Sequence, residues 1–265
     1  MRIALTFYSP DELIVFLLAS RTAYNEFVLY HNFRHVVDVL QALFHFLVQL
    51  GTLPPYPTDA THTQSVPTSP VAQLLKPFDG LTLLVSAIGH DVGHPGVNNA
   101  FLVALNAPLA QLYNDRSVLE SFHCAAYSQI LRRYWPKAFA DSNMRKLMIN
   151  SILATDMGLH FKYMSDLGNL QQKVAHDKGT DSWSAKIREE NKDLACGLLI
   201  KCADISNVVS RLLCASRTEH LYCVGTQVPD CRSVGKHSYG RVQQPGSHGA
   251  RTADAILSVW GSTCS

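Results

Sequence analysis

Two short stretches concentrate residue types able to hold a divalent cation: Tyr30-His31-Asn32-Phe33-Arg34-His35-Val36-Val37-Asp38-Val39 and His90-Asp91-Val92-Gly93-His94-Pro95-Gly96. An adjacent His-Asp pair offers an imidazole nitrogen and a carboxylate oxygen from one turn of backbone, and a carboxylate can bridge two metals. His31 and His35 are four positions apart, so in a helix they would share one face. A lone histidine on such a face is more often a satisfied core residue; a second histidine and a second cluster reverse that preference. Asp204 lies in the apolar run Gly197-Leu198-Leu199-Ile200-Lys201-Cys202-Ala203-Asp204-Ile205. A buried carboxylate there is costly unless a cation neutralises it, and the same holds for Asp91. One metal site accounts for all these residues together, and its chemistry is metal-assisted hydrolysis.

The elements that must position them read as helices. Asp11 and Glu12 open an apolar-periodic segment reaching about Leu29, with Ser9 as its cap. Residues 33–50 repeat apolar positions at three and four, and Gly51 ends the run. Between Thr52 and Pro77 stand six of the 12 prolines, which predicts an exposed loop inside a domain. Residues 80–90 are apolar nearly all round, a buried helix carrying His90 and Asp91 at its end. Further helices are predicted over 98–106, 117–135, 142–163 and 185–209, and Phe44, Phe46, Phe101 and Phe161 are assigned to the core. From Ser210 onward the composition changes: four of the seven cysteines, many Arg, Ser and Gly, and one short apolar segment at 253–260.

Composition sets limits on partners. The 265 residues are 47% apolar with a formal charge of +2, which gives no electrostatic reason to expect nucleic acid, an acidic partner or a lipid surface. The apolar run 13–19 is too short to span a bilayer and follows Pro10, Asp11 and Glu12. The cysteines show no CxxC pair or regular spacing, so free thiols and a cytoplasmic protein are expected.

In their order and spacing these motifs resemble the HD superfamily of metal phosphohydrolases, and more closely the class I cyclic nucleotide phosphodiesterases. That family carries Tyr-His-Asn-x-x-His-x-x-Asp-Val and His-Asp-Val-x-His-Pro-Gly-x-x-Asn, matched here by 30–39 and 90–99. Three further blocks fall in register: Tyr113-Asn114-Asp115 to Val118-Leu119-Glu120, then Ala154-Thr155-Asp156-Met157, then Lys201-Cys202-Ala203-Asp204-Ile205-Ser206-Asn207. The resemblance implies an all-α, compact multi-helix bundle around a bimetal site. It implies zinc held by His35, His90, Asp91 and Asp204, and a second cation, magnesium or manganese, bridged by Asp91. It makes His31 the general acid rather than a ligand. His94, Asn99, Glu120, His123, Thr155 and Asp156 would orient water around the looser metal, and Tyr30 and Asn207 would contact a cyclic nucleotide. Gly93 stands where many animal members carry a second acid, a form that looks like fungal and other lower-eukaryote members.

The resemblance covers roughly 27–209. The family's aromatic clamp and purine-reading glutamine come from helices after the Asp204 block, and nothing after Val209 matches that setting; helices before Tyr30 also look shortened. The expected organisation is therefore a partial catalytic domain over 1–209 and an atypical, poorly ordered tail over 210–265 of frameshift, intron or splice origin. Three functions stay open: hydrolysis of a 3′,5′-cyclic nucleotide, with cyclic AMP favoured; an impaired fragment that keeps the metal floor; and HD-type hydrolysis of another phosphoester. Oligomeric state is not readable from the residues.

Overall fold

Local capping signals decide where the helices begin. In this computed structural model, which describes residues 9–56 and 69–216 with side chains through 206, the first helix, α1 (Pro10–Thr22), starts at Ser9. The Glu12 N–H donates to Ser9 Oγ (3.2 Å) and the Ser9 N–H to Glu12 Oε2 (3.1 Å), a reciprocal capping box with proline at the first helical position. The helix stops well short of the expected end near Leu29. Tyr24 turns inward instead, and its hydroxyl donates to the Ile88 carbonyl at 2.8 Å.

The second helix, α2 (Phe33–Gln49), has Asn32 as its N-cap, with Oδ1 accepting from the Arg34 N–H. At its far end the Gly51 N–H donates to Val48 and the Thr52 N–H to Leu47, the paired bonds of a Schellman turn. Beyond it the predicted exposed loop is only partly that. Residues 57–68 lie outside the described residues, but Ala72–Leu74 forms a 3₁₀ turn, and Val71, Ala72, Leu74 and Leu75 are buried. Apolar side chains between the prolines pull this segment onto the core.

The remaining helices are α3 (Pro77–Gly89), α4 (Asn99–Ala104), α5 (Pro108–Leu112), α6 (Val118–Tyr134), α7 (Pro136–Ala140), α8 (Ser142–Ala154), α9 (His160–Asp177) and α10 (Ala185–Ser216). Among the described residues there is no strand, and no helix is long and apolar enough to cross a membrane. The helix predicted over 142–163 is two helices, α8 and α9, separated by Thr155, Asp156 and the 3₁₀ turn Met157–Leu159. Likewise the helix predicted to end at 209 continues to Ser216, past the compositional change at 210; residues 217–265, most of the predicted tail, lie outside the described residues.

Four helices form the frame. α2 packs on α3, α3 on α8, α8 on α10, and α10 returns to α2, closing a ring. Its centre is filled by Val39, Leu43 and Leu47 from α2, Leu83 and Ala87 from α3, Leu147 from α8 and Cys196, Leu199, Ile200 and Ala203 from α10. Each fully buried leucine contributes about 1.5–3 kcal/mol. Against the ring, α1 and α6 pack through Phe16, Tyr127, Leu131 and Trp135. Phe46 is partly buried against this core, but Phe101 and Phe161 are exposed, contrary to expectation. One end of the ring carries the start of α2 and the C-terminal ends of α3 and α8.

Candidate metal centre

That end gathers the predicted ligands. His35 sits in the first turn of α2, His90 caps the C-terminus of α3 with Asp91 next to it, and Asp204 projects from α10. His35 Nε2 lies 2.9 Å from Asp204 Oδ1, 3.5 Å from Asp91 Oδ2 and 3.4 Å from His90 Nε2. His90 Nε2 is 3.3 Å from Asp91 Oδ2 and 3.4 Å from Asp204 Oδ1. Four donors at about 2.0–2.1 Å from a tetrahedral zinc stand roughly 3.3–3.4 Å from one another, so these spacings match one shared cation.

The local chemistry supports the same fit. The His90 Nδ1–H donates to the Ala87 carbonyl (2.8 Å), which turns Nε2 toward the cluster. Burial would lower the His90 pKa, but Asp91 and Asp204 hold it well above the usual imidazole value, and a bound cation would take the place of the proton on Nε2. Asp91 Oδ2 is buried and has no hydrogen-bond partner, an anionic atom that a cation would satisfy. Burial would raise the Asp91 pKa, but the neighbouring His90 overrides it and holds the carboxyl well below the usual range. For Asp204, burial is likewise outweighed by His35 and His90, and its pKa is lowered. Both acids are therefore carboxylates, as ligation requires.

The other oxygen of Asp91 faces a second group. Asp91, His94 and His123 present donor atoms that all lie within 4.8 Å of one another. The His123 Nδ1–H donates to the Val92 carbonyl (2.8 Å), so its Nε2 lone pair points at Asp91 Oδ1, 3.8 Å away. Two acceptors facing each other need a cation or a water's hydrogens between them. His94 differs: its Nδ1 accepts the Gly96 N–H (2.9 Å), so the ring proton is on Nε2 and that atom donates. Burial, with help from His31, pushes the His94 pKa down to about 4. His94 is thus neutral, with its Nε2–H available as a donor.

His31 is not helical. It precedes the Asn32 cap, so it does not share a face of α2 with His35; its ring stacks on His94 with centroids 3.9 Å apart and 12° between planes. Burial lowers its pKa, and Asp91 and Asp204 oppose that shift. Tyr30 covers both histidines, with its centroid 4.8 Å from His31 and 4.7 Å from His35.

The predicted outer residues also converge. Asn99 donates through Nδ2 to Glu120 Oε2 (3.0 Å) and accepts the Leu119 N–H (2.9 Å), tying α4 to α6. Burial raises the Glu120 pKa, and nearby Asp156 and Asp91 add to it. Asp156 accepts from Ser117 Oγ and the Gly158 N–H, both at 2.7 Å, while Thr155 donates its hydroxyl to the Ile152 carbonyl. The Asn207 side chain lies outside the described residues.

Sequence reasoning missed the supports. Tyr24, Ser117 and Lys201 each bind backbone or side chains beside the site; Ser117 and Lys201 stand inside recognisable blocks without being singled out by them, and Tyr24 lies outside them. At Gly93, φ is +74° and a Cβ would approach Phe122 Cε1 to 2.7 Å, so the acid of animal members does not fit unless Phe122 moves.

Comparison with known proteins agrees with this arrangement. The 3′,5′-cyclic nucleotide phosphodiesterase family profile matches residues 30–225, reaching beyond the sequence-based limit near 209. The chain is 30% identical over 224 residues to Saccharomyces cerevisiae 3′,5′-cyclic-nucleotide phosphodiesterase 2, covering 84% of this chain and 35% of that protein. It is 32% identical over 213 residues to mouse 3′,5′-cyclic-AMP phosphodiesterase 4C, covering 76% of this chain and 27% of that one. The chain thus spans about a third or less of these curated relatives. Among solved structures, yeast caPDE2 in complex with IBMX superposes with a TM-score of 0.62 at 39% identity, over 76% of this chain and 40% of that one. The phosphodiesterase domain of Salpingoeca rosetta rhodopsin phosphodiesterase gives 0.60 at 26% identity, over 76% and 55%. Residues, geometry and relatives agree: the chain belongs to the 3′,5′-cyclic nucleotide phosphodiesterase family.

Proposed function

We propose that this chain hydrolyses a 3′,5′-cyclic nucleotide to its 5′-monophosphate. The observation that carries this reading is the convergence of His35, His90, Asp91 and Asp204 with an orphaned Asp91 oxygen between them. These four would hold zinc, and Asp91 Oδ1 with water would hold magnesium or manganese. Such a pair of cations, when bound, activates water as a nucleophile and neutralises charge on the phosphate.

The chain's own groups do the rest. His31 donates a proton to the departing ribose 3′-oxygen; stacking on His94 fixes the plane of its ring, and Tyr30 covers its other side. His94, through Nε2–H, and His123, through its lone pair, orient water from opposite hydrogen-bonding roles. Glu120, held by Asn99, and Asp156, held by Ser117, fix the far side of that water shell, with Thr155 beside them. Asn207 would contact the nucleotide. Cyclic AMP is the favoured substrate, a preference supported by the cyclic-AMP relative in mouse and by Gly93. Buried free thiols at Cys124, Cys196 and Cys202 support a cytoplasmic setting.

The catalytic unit is proposed to occupy 1–209, with 210–265 a separate tail. A second reading keeps the metals but lacks turnover, because the glutamines of 210–265, Gln227, Gln243 and Gln244, have Gly, Pro and Arg rather than an apolar run around them in the sequence. Metal content and turnover of cyclic AMP, cyclic GMP and a small aryl phosphodiester, measured on one sample, test both. Cyclic AMP hydrolysis with bound zinc is expected. Bound metal with hydrolysis of the aryl ester alone overturns the nucleotide reading, and an absence of metal overturns the mechanism.

A further inference from the structure

Lys201 is among the most buried charged groups of the described residues, 3% exposed on α10 and one turn before Asp204. A lysine in the interior needs a reason, since methionine would fill the same volume without desolvating an ammonium. Its Nζ donates to two carbonyls, Ala154 at 3.1 Å and Asp156 at 2.9 Å, and lies 5.8 Å from the centre of the Tyr163 ring. Ala154 is the last residue of α8, whose terminal carbonyls lack helical partners and carry the negative end of the helix dipole. The ammonium therefore closes α8 from a different helix.

The consequence lies in what the closed turn presents. Between the two bound carbonyls sits Thr155, and beyond them the Asp156 carboxylate reaches Ser117, at the start of α6, and the Gly158 N–H. Ser117 has φ +41°, a backbone conformation that its bond to Asp156 helps to hold. One cation on α10 thus fixes the turn that supplies Thr155 and Asp156, while the same helix supplies Asp204 to the zinc-type site. Burial lowers the Lys201 pKa, and Asp204, Asp156 and Glu120 pull it back up.

We infer that Lys201 is a positioning residue that sets the second-cation half of the site, acting through the 154–158 turn and the Asp156 carboxylate rather than by touching substrate or metal. This rests on the proposed function for the presence of two cations and for the part of Thr155 and Asp156 beside the second. Its distinguishing mark is selectivity between the halves of the centre.

The test compares Lys201→Met and Lys201→Arg with the unaltered chain. Three quantities are read: zinc stoichiometry by elemental analysis, Mn²⁺ affinity by electron paramagnetic resonance of free Mn²⁺, and KM and kcat for cyclic AMP at varied Mn²⁺. Lys201→Met is expected to keep zinc and helical circular dichroism while weakening Mn²⁺ on the order of 10–100-fold, the range seen when a ligand's supporting partner is lost. Lys201→Arg, which can still donate to both carbonyls, is expected to recover part of it. Unchanged Mn²⁺ affinity in a folded Lys201→Met protein overturns the inference. So does joint loss of zinc and Mn²⁺, which would mean that Lys201 acts through Asp204. If Lys201→Met does not fold, Lys201→Gln carries the same comparison under the same two outcomes. Because Mn²⁺ binding is read without turnover, an inactive wild-type chain would defeat the proposed function and leave this result standing.

Discussion

Asp204 and His31 stand within one cluster and do different work. Asp204 contacts His35 and His90, at 2.9 and 3.4 Å, so under the proposed function Asp204→Ala should strip zinc; unchanged zinc by elemental analysis would refute its assignment as a ligand. His31 makes its closest ring contact with His94, so His31→Ala should retain the metals and slow turnover by roughly 10²–10⁴-fold, as loss of a general acid does. Zinc loss in that variant would instead make His31 a ligand. The convergence of His35, His90, Asp91 and Asp204 was legible because imidazole and carboxylate types in apolar surroundings have few uses other than holding a cation. Roles within the set were not: His94 and His123 look alike as letters, and only the Gly96 N–H and the Val92 carbonyl make one a donor and the other an acceptor toward the site. Nor does the spacing of His31 and His35 reveal that Asn32 caps α2 between them.

Elements were legible where their ends are written locally. Ser9 with Glu12, Asn32 and Gly51 mark boundaries in the chain itself, and α1 and α2 begin, and α2 ends, where those residues say. The break between α8 and α9 is different: apolar periodicity runs through it without proline, and at the break Asp156 caps the 3₁₀ turn while Lys201, from another helix, takes the Ala154 and Asp156 carbonyls. The C-terminus of α3 is placed by packing too. Gly89 lies against Tyr127 of α6, whose hydroxyl donates to the Val85 carbonyl at 2.8 Å, and a Cβ at 89 would run into that ring. Gly89→Ala should therefore destabilise the fold by about 1–3 kcal/mol, the usual range for overpacking, and displace His90 and Asp91 with it. Thermal melting together with zinc stoichiometry checks this. An unchanged melting temperature would show that α3 and α6 yield to each other at no cost, and the metal floor would then not depend on their contact.

At the scale of the whole chain, the helical class and a single site uniting distant motifs could be read from the residues, while the ring of α2, α3, α8 and α10 could not. Its closure depends on which apolar faces meet, and a sequence with helices of similar composition does not say which pairs form. His35 meets His90 across 55 residues of chain and Asp204 across 169, so a cation bound by all three helices closes long loops in the folded state alone. Without a cation, that end brings together the buried Asp91 carboxylate, the half-buried Asp204 carboxylate and two imidazoles, and Asp91 Oδ2 has no hydrogen-bond partner. Binding to the folded form only stabilises it by about 2.7 kcal/mol at a free metal concentration of 100 times Kd. Chelation should therefore lower the melting temperature of the intact protein, and zinc should restore it with a dependence on free metal concentration that follows this relation. Asp204→Ala should melt at the same temperature with or without zinc. If the unaltered chain also melts independently of zinc and chelator, the four side chains do not share a cation that links the helices, and the ring is held by its apolar core alone.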